Sequence, residues 1–343
     1  MGVEESLLKE RNIYELNKID ISKIDSSEVE IIVFNSINEL TYLIYYDSLN
    51  NSFEVYDLNS FQKIISIRNA LRKKHDSLIK KYDYINDKKR EIIMASTNNE
   101  IIIFNVNTWE IIYNFESEFS YAYFFSPCLI KSEGNFFLLN FNINSNNIII
   151  SDLELNIKSS INGIECKDPN SLKCYIYYEN NNIYIVCNCF TFVDVFDFNS
   201  KIKYKRYKNS NFEVKDSLVI KKEITKIIIG SSQIDIWDFH KYELLKTIKI
   251  ENSIKRMCLC SIDNFIALLY KNNDYQNKIV LFQLSGDKLI PMFESKESLL
   301  YIKRISIKNF RNILIIGNYN TFLDETPKYI KFFKVDEINV NLN

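Results

Sequence analysis

The chain has 343 residues, a net charge of −1, and 46% hydrophobic residues. That apolar fraction supports a sizeable core, and the near-neutral balance excludes whole-molecule electrostatic attraction to nucleic acid as the basis of function. Glycine and proline number only 6 and 4, so asparagine, which tolerates left-handed backbone, is expected to make many of the turns, in the runs at 144–147, 180–182 and 272–273.

The segment Met1-Gly2-Val3-Glu4-Glu5-Ser6 lacks a basic region followed by an apolar core, so no export signal is expected. No apolar run approaches the roughly 18 residues that span a bilayer. With 7 cysteines, an odd number, the expectation is reduced thiols in an intracellular protein, cytoplasmic in preference to nuclear. Gly2 with Ser6 fits the N-myristoylation pattern, which makes Gly2 a candidate lipidation site. One acyl chain holds a protein only weakly, so a second signal is required.

After a tail at 1–12, residues 13–21 read as a strand. Beyond them one pattern recurs: a run of β-formers, a pivot that is usually aromatic, then a polar residue and a turn. The copies are Phe53–Leu58, Ile101–Val106, Ile148–Leu153, Val193–Phe198, Ile234–Phe239, Ile279–Leu284 and Ile330–Val335. Their pivots are Tyr56, Phe104, Ser151, Phe196, Trp237, Phe282 and Phe333, spaced by 48, 47, 45, 41, 45 and 51 residues. That period suits a four-stranded propeller blade. A continuous apolar run precedes each copy, as at Ile92–Ser96 and Ile183–Cys189. Alternating strands such as Lys201–Tyr207 follow several of them. Continuous runs are expected on inner strands and alternation on outer ones. The fold class expected is all-β: a seven-bladed β-propeller of four-stranded antiparallel blades, in one domain over 1–343, with the 13–21 strand closing the last blade.

This period, with the pair Trp237-Asp238 and the run Ala95–Asn105, resembles the WD-repeat (WD40) family over nearly the whole chain. The resemblance implies a rigid binding platform, and a structural hydrogen-bond network at His75, Ser96, Asn98 and Phe104. Phe104 lacks the donor of the family's tryptophan and Asn98 replaces its aspartate, so apolar packing must carry more of the stability. In WD-like propellers, connections from an outer strand to the next blade emerge on the same rim as those between second and third strands. The long connections here then gather in one sector. The candidate partner-binding residues on them are Arg68, Arg72, Lys73, Lys74, Tyr270, Tyr275, Tyr319 and Phe322, since aromatic and arginine side chains anchor interfaces. The connection at 68–78 opens a basic stretch, 68–90, with nine Lys or Arg against three Asp. It reads as a solvated loop or as a functional insertion.

Chemistry has little to work with. His75 and His240 neighbour no nucleophile motif, and six glycines leave no phosphate-cradling loop. The pairs Cys187/Cys189 and Cys258/Cys260 read as buried core thiols, without the spacing of a metal site. No cofactor, metal or enzymatic activity is expected. The reading is a non-catalytic scaffold with protein partners, monomeric within a larger complex. The alternative is a membrane-associated propeller binding phosphoinositides or anionic lipid. Propellers that read phosphoinositides carry adjacent arginines followed by glycine, and this chain has no Arg-Arg pair. Nucleic-acid binding finds only local basic patches.

Overall fold

The computed structural model describes residues 13–20, 31–72, 79, 81–86, 90–97, 100–116, 125–142, 145–166, 172–208, 213–221 and 224–249, and beyond 250 the backbone of seven strands. The strands group into two compact units, Ile24–Asn211 and Phe212–Asn343 with Met1–Lys23.

Strand β1 (Ile13–Asp20) belongs to the second unit. The first unit opens with a sheet of β2 (Ile31–Asn35), β3 (Thr41–Asp47), β4 (Ser52–Asp57) and β5 (Gln62–Arg68). The second sheet is β6 (Lys81–Asn86), β7 (Glu91–Ser96), β8 (Glu100–Asn105) and β9 (Ile111–Glu116). The third is β10 (Phe125–Ser132), β11 (Asn135–Asn142), β12 (Asn147–Ser151) and β13 (Ile157–Ile161). The fourth is β14 (Lys173–Glu179), β15 (Asn182–Asn188), β16 (Phe192–Asp197) and β17 (Lys203–Lys208). In the other unit the fifth is β18 (Asp216–Lys221), β19 (Thr225–Gly230), β20 (Gln233–Asp238) and β21 (Leu244–Lys249). The sixth is β22 (Ser253–Leu259), β23 (Phe265–Lys271), β24 (Asn277–Ser285) and β25 (Lys288–Glu294). The seventh is β26 (Tyr301–Ile307), β27 (Phe310–Asn318) and β28 (Tyr329–Val335), completed by β1.

Every pivot copy is the third strand of its sheet and every preceding apolar run is the second. Burial follows the expected division: β3 and β7 are buried along their whole length, while β5 and β21 are mostly exposed. Within the first unit the apolar faces of successive sheets share cores. Phe53 of β4 meets Phe104 of β8 edge-on, with ring centroids 4.8 Å apart. Ile150 of β12 and Phe196 of β16 belong to the core between the third and fourth sheets.

The polar residue after the pivot has a local physical cause. Its side chain caps the turn into the fourth strand by accepting backbone N–H groups. Asp57 Oδ1 accepts from Asn59 at 2.9 Å, Asn105 Oδ1 from Asn107 at 2.9 Å, and Asp197 Oδ1 from Ser200 at 2.7 Å. Asp152 Oδ1 accepts from Glu154 and Asn156, and Asp238 Oδ1 from His240 at 2.9 Å and Lys241 at 2.7 Å. Each of these turns ends on a left-handed residue that is not glycine: Phe61, Trp109, Leu155, Lys201 and Tyr242, with φ between 56° and 64°. Such backbone costs a side-chain-bearing residue about 1–2 kcal/mol. Packing offsets part of it: Trp109 meets Tyr42 edge-on at 5.1 Å, Tyr242 stacks on Trp237 at 5.4 Å, and the Lys201 ammonium lies 3.7 Å over the Phe198 ring. Asparagine takes the left-handed position elsewhere, at Asn51, Asn69, Asn146 and Asn180.

The pivot marks a β-bulge as well. Pairing with the fourth strand slips by one residue at Val55/Tyr56, Ile103/Phe104, Ile150/Ser151, Val195/Phe196, Ile236/Trp237 and Leu281/Phe282. In the pair of β1 with β28 the slip falls in the same place, between Phe332 and Phe333, which face Asn17 and Glu15. The N-terminal strand is therefore built to the fourth-strand template, although some 300 residues of sequence separate it from its sheet. Bulges raise local twist and bend the strand that carries the extra residue.

Two positions before the pivot, three sheets bury a carboxylate facing a donor on the fourth strand. Glu54 faces Ser66 and accepts from its hydroxyl at 2.7 Å, Asp194 faces Arg206, and Asp235 faces Thr247 and accepts from its hydroxyl at 2.7 Å. Burial by itself would raise the Glu54 pKa, but the hydrogen bonds from Ser52, Ser66 and Lys63 outweigh it and hold the carboxyl below the usual range. A carboxyl depressed in the folded state stabilises the protein above its unfolded pKa, near 4.3 for glutamate, and loses that contribution as pH falls through the folded value. Chemical denaturation from pH 7 to pH 3 is expected to show stability falling below about pH 4, with a shallower fall in Glu54→Gln. For the turn caps, Asp238→Ala strands two backbone donors and is expected to cost about 2 kcal/mol in urea unfolding.

Candidate functional site

The basic connection after β5 begins as a held segment. Asn69 turns the chain through left-handed backbone, φ 53°, and sends Ala70 and Leu71 into the core. Asn51, in the turn between β3 and β4, clamps Leu71: its Oδ1 accepts from the Leu71 N–H at 3.1 Å and its Nδ2 donates to the Leu71 carbonyl at 2.8 Å. The same Oδ1 accepts from the Tyr46 hydroxyl at 2.9 Å. Burial, with Glu100 and Asp47 nearby, pushes that hydroxyl's pKa up to about 12, so it stays a donor. From the second sheet, Asn114 Nδ2 donates to the Ala70 carbonyl at 3.3 Å. Both carboxylate oxygens of buried Glu100 accept from the Arg72 N–H at 3.3 Å. The Arg72 guanidinium reaches the Asn114 carbonyl at 3.5 Å.

The segment 68–72 is thus fixed to two sheets by buried Glu100 and half-buried Asn51 and Asn114, while the side chains of Arg68 and Arg72 stay exposed. A guanidinium is a planar, permanently charged fork that matches carboxylate or phosphate oxygens. Two such groups on a fixed base lose little freedom when they meet an anionic group.

Arg68 and Arg72 share the one segment, and Tyr270 is in the other unit, on β23, facing Ile254 and Lys278. Lys73, Lys74, Tyr275, Tyr319, Phe322 and Gly2 lie outside the described residues, as do His75 and Asn98. The stretch 68–90 is not one loop, which corrects its reading as a solvated loop or an insertion throughout. Its residues 81–86 are β6, the first strand of the second sheet. Lys81 turns its ammonium inward, 2.8 Å from both Cys128 Sγ and the Cys174 carbonyl oxygen. The Arg90 guanidinium lies 4.7 Å over the Phe136 ring. Two of the basic residues on β17 are likewise engaged. Arg206 chelates Asp194 at 2.7 and 2.8 Å and bonds Glu165 at 2.7 Å, and Lys203 reaches Asp194 at 3.1 Å.

Ser96 donates to the Lys81 carbonyl at 3.3 Å, a link between β6 and β7, and Phe104 sits in the apolar core. His240 lies in an exposed turn, as its sequence context indicates. Cys187 and Cys189 are buried free thiols. The residues that hold the candidate segment, Asn51, Glu100 and Asn114, carry no motif. The one signal for them in the sequence is an asparagine pair, Asn50-Asn51, in the turn before a pivot strand.

No protein-family model matches the sequence, and no curated protein matches it. Solved structures do. A chain of the "Crystal Structure of Mitotic Checkpoint Complex" superposes with a TM-score of 0.65 at 13% identity, covering 96% of this chain and 94% of that one. A chain of the "Crystal structure of BBS1N in complex with ARL6DN, soaked with mercury" gives 0.66 at 8% identity, covering 95% and 97%. Both are WD40-type propellers. The fold is that of a divergent WD-like propeller. In this propeller the blade unit is the four-stranded sheet, and the candidate segment joins the outer strand of one blade to the first strand of the next.

Asn51→Ala removes the side-chain clamp on Leu71, a loss of about 2 kcal/mol of local stability. Limited trypsin digestion is then expected to cut after Arg68 and Arg72 roughly tenfold faster or more, with the rest of the digestion pattern unchanged.

Proposed function

We propose that this propeller is a non-catalytic protein-interaction scaffold, a subunit or adaptor of a larger intracellular assembly. We place it in the cytoplasm, as a single propeller within that complex. The observation that carries the proposal is the likeness, over nearly the full length of both chains, to propellers whose structures are those of a checkpoint complex and of a two-protein complex. The held arginine segment supplies a contact surface of the right kind, because guanidinium groups on a fixed base engage carboxylates of a partner protein without a large ordering cost. Lys73 and Lys74 continue the same basic run in sequence.

Affinity purification with mass spectrometry tests this. The wild-type chain is expected to recover a defined set of proteins. The double variant Arg68→Glu, Arg72→Glu is expected to lose at least one of them by tenfold or more while keeping its circular dichroism spectrum. A partner set untouched by the reversal removes the arginine segment from the interface. Recovery of no protein at all removes the scaffold reading.

A further inference from the structure

Five cysteines of the third and fourth blades are buried free thiols: Cys128, Cys166, Cys174, Cys187 and Cys189. Cys174 on β14 stands directly opposite Cys187 on β15. Their sulfurs are 3.1 Å apart. Opposed residues of antiparallel strands have Cα atoms about 4.5–5.5 Å apart, inside the roughly 4.4–6.8 Å that a disulfide spans. The backbone already has the separation a crosslink needs, and the sulfurs have only about 1 Å to close.

We propose that Cys174 and Cys187 are an oxidation site, closed to a cross-strand disulfide by a small peroxide. Cys187 is fully buried, whereas Cys174 keeps 8% of its surface exposed. Cys174 also lines a cavity of about 10 Å³, together with Cys128, Asn140 and Ile185. That space holds about one water-sized molecule. The side-chain oxygen of Asn140 is buried with no hydrogen-bond partner, and is available to a hydroxyl entering there. The Lys81 ammonium lies 2.8 Å from the Cys174 carbonyl oxygen and from Cys128 Sγ.

These positions assign the roles. Cys174 gives up its proton, and its sulfur displaces one oxygen of hydrogen peroxide, which leaves as water and makes Cys174 a sulfenic acid. The sulfur of Cys187 then attacks the Cys174 sulfur. The S–O bond breaks and the hydroxyl departs as a second water, taking the Cys187 proton. Two thiols and one peroxide give one disulfide and two waters, with two electrons passing from sulfur to oxygen. The hydrogen bond to Cys174 and burial hold the Cys187 thiol well above its ordinary pKa, so it waits as a thiol until the sulfenic acid forms beside it. Burial likewise pushes Cys128 up to about 12, which leaves Cys128 a thiol at neutral pH. Cys189 lies just past the end of β15, and two extended residues separate its Cα from that of Cys187 by roughly 6.8 Å, a poorer geometry for a bond.

The test is disulfide mapping of the full chain. The folded protein is exposed to hydrogen peroxide, alkylated in denaturant, digested without reductant and analysed by mass spectrometry. The expected dominant crosslink joins the Cys174 and Cys187 peptides, and the thermal midpoint rises, reversibly with reductant. The same oxidation in denaturant is expected to scatter the pairings. The site is overturned if both cysteines are alkylated as free thiols after a dose that fully oxidises a small-molecule thiol in the same tube. It is equally overturned if either pairs mainly with another cysteine. Cys187→Ala is expected to leave a Cys174 sulfenic acid that a cyclic 1,3-diketone traps, whereas Cys174→Ala leaves Cys187 without adduct. The reverse pattern overturns the assigned roles.

Discussion

A sheet whose middle strands are apolar on both faces has no stable orientation in water unless something covers each face. That is the condition of these blades: β3 and β7 are buried from end to end, and the cores of the first unit run from one sheet into the next. Stability in such an array is shared between neighbours and not owned by any one sheet. Polar groups are then obliged to work at the seams. Glu91 of β7, 1% exposed, accepts from the Ser36 hydroxyl and the Ile37 N–H of the first blade and from the Tyr84 hydroxyl of its own. Glu100 does the same for Arg72. A carboxylate buried between sheets is tolerable only with such donors, and the donors are in turn fixed by it.

The third strands were legible because their pattern combines two independent physical demands. The apolar run answers to burial, and the aspartate or asparagine after the pivot answers to the turn, whose free N–H groups it caps. The second strands were legible by burial alone. The first strands were not. Strand β6 reads Lys81-Tyr-Asp-Tyr-Ile-Asn86, with charges and tyrosines of intermediate exposure, and so merges in sequence with the basic residues around it. What separates Lys81 from Arg72 is tertiary: the ammonium turns inward to a sulfur and a carbonyl in the next two blades, whereas the guanidinium stays at the exposed surface by the Asn114 carbonyl. Bulges left no mark either, because the extra residue can be Ile64, Lys158 or Tyr204, each fixed by where it faces and not by what it is.

Divergence from the WD-repeat pattern has a physical reading too. The resemblance implied a polar network at His75, Ser96, Asn98 and Phe104, of which Ser96 and Phe104 fall among the described residues. Ser96 makes one bond, to a neighbouring strand, and Phe104 makes none but fills the seam against Phe53. The described residues instead show turn caps such as Asp57 and Asp238 and seam carboxylates such as Glu91. Large side chains such as Trp109 in left-handed backbone belong to the same solution: glycine is scarce, and a ring that packs back on its blade offsets the strain glycine would have avoided.

The pairing of β1 with β28 has a temporal side. Residues 13–20 are made before their partners, 329–335, by some 300 residues. At translation rates of about 5–20 residues per second, the first strand waits on the order of tens of seconds for its mate. Throughout that interval it is a solitary β-former in a crowded cell, and the last blade to gain its fourth strand is the one whose earliest piece was made first. That sheet has its full set of strands only once residues far apart in synthesis have met.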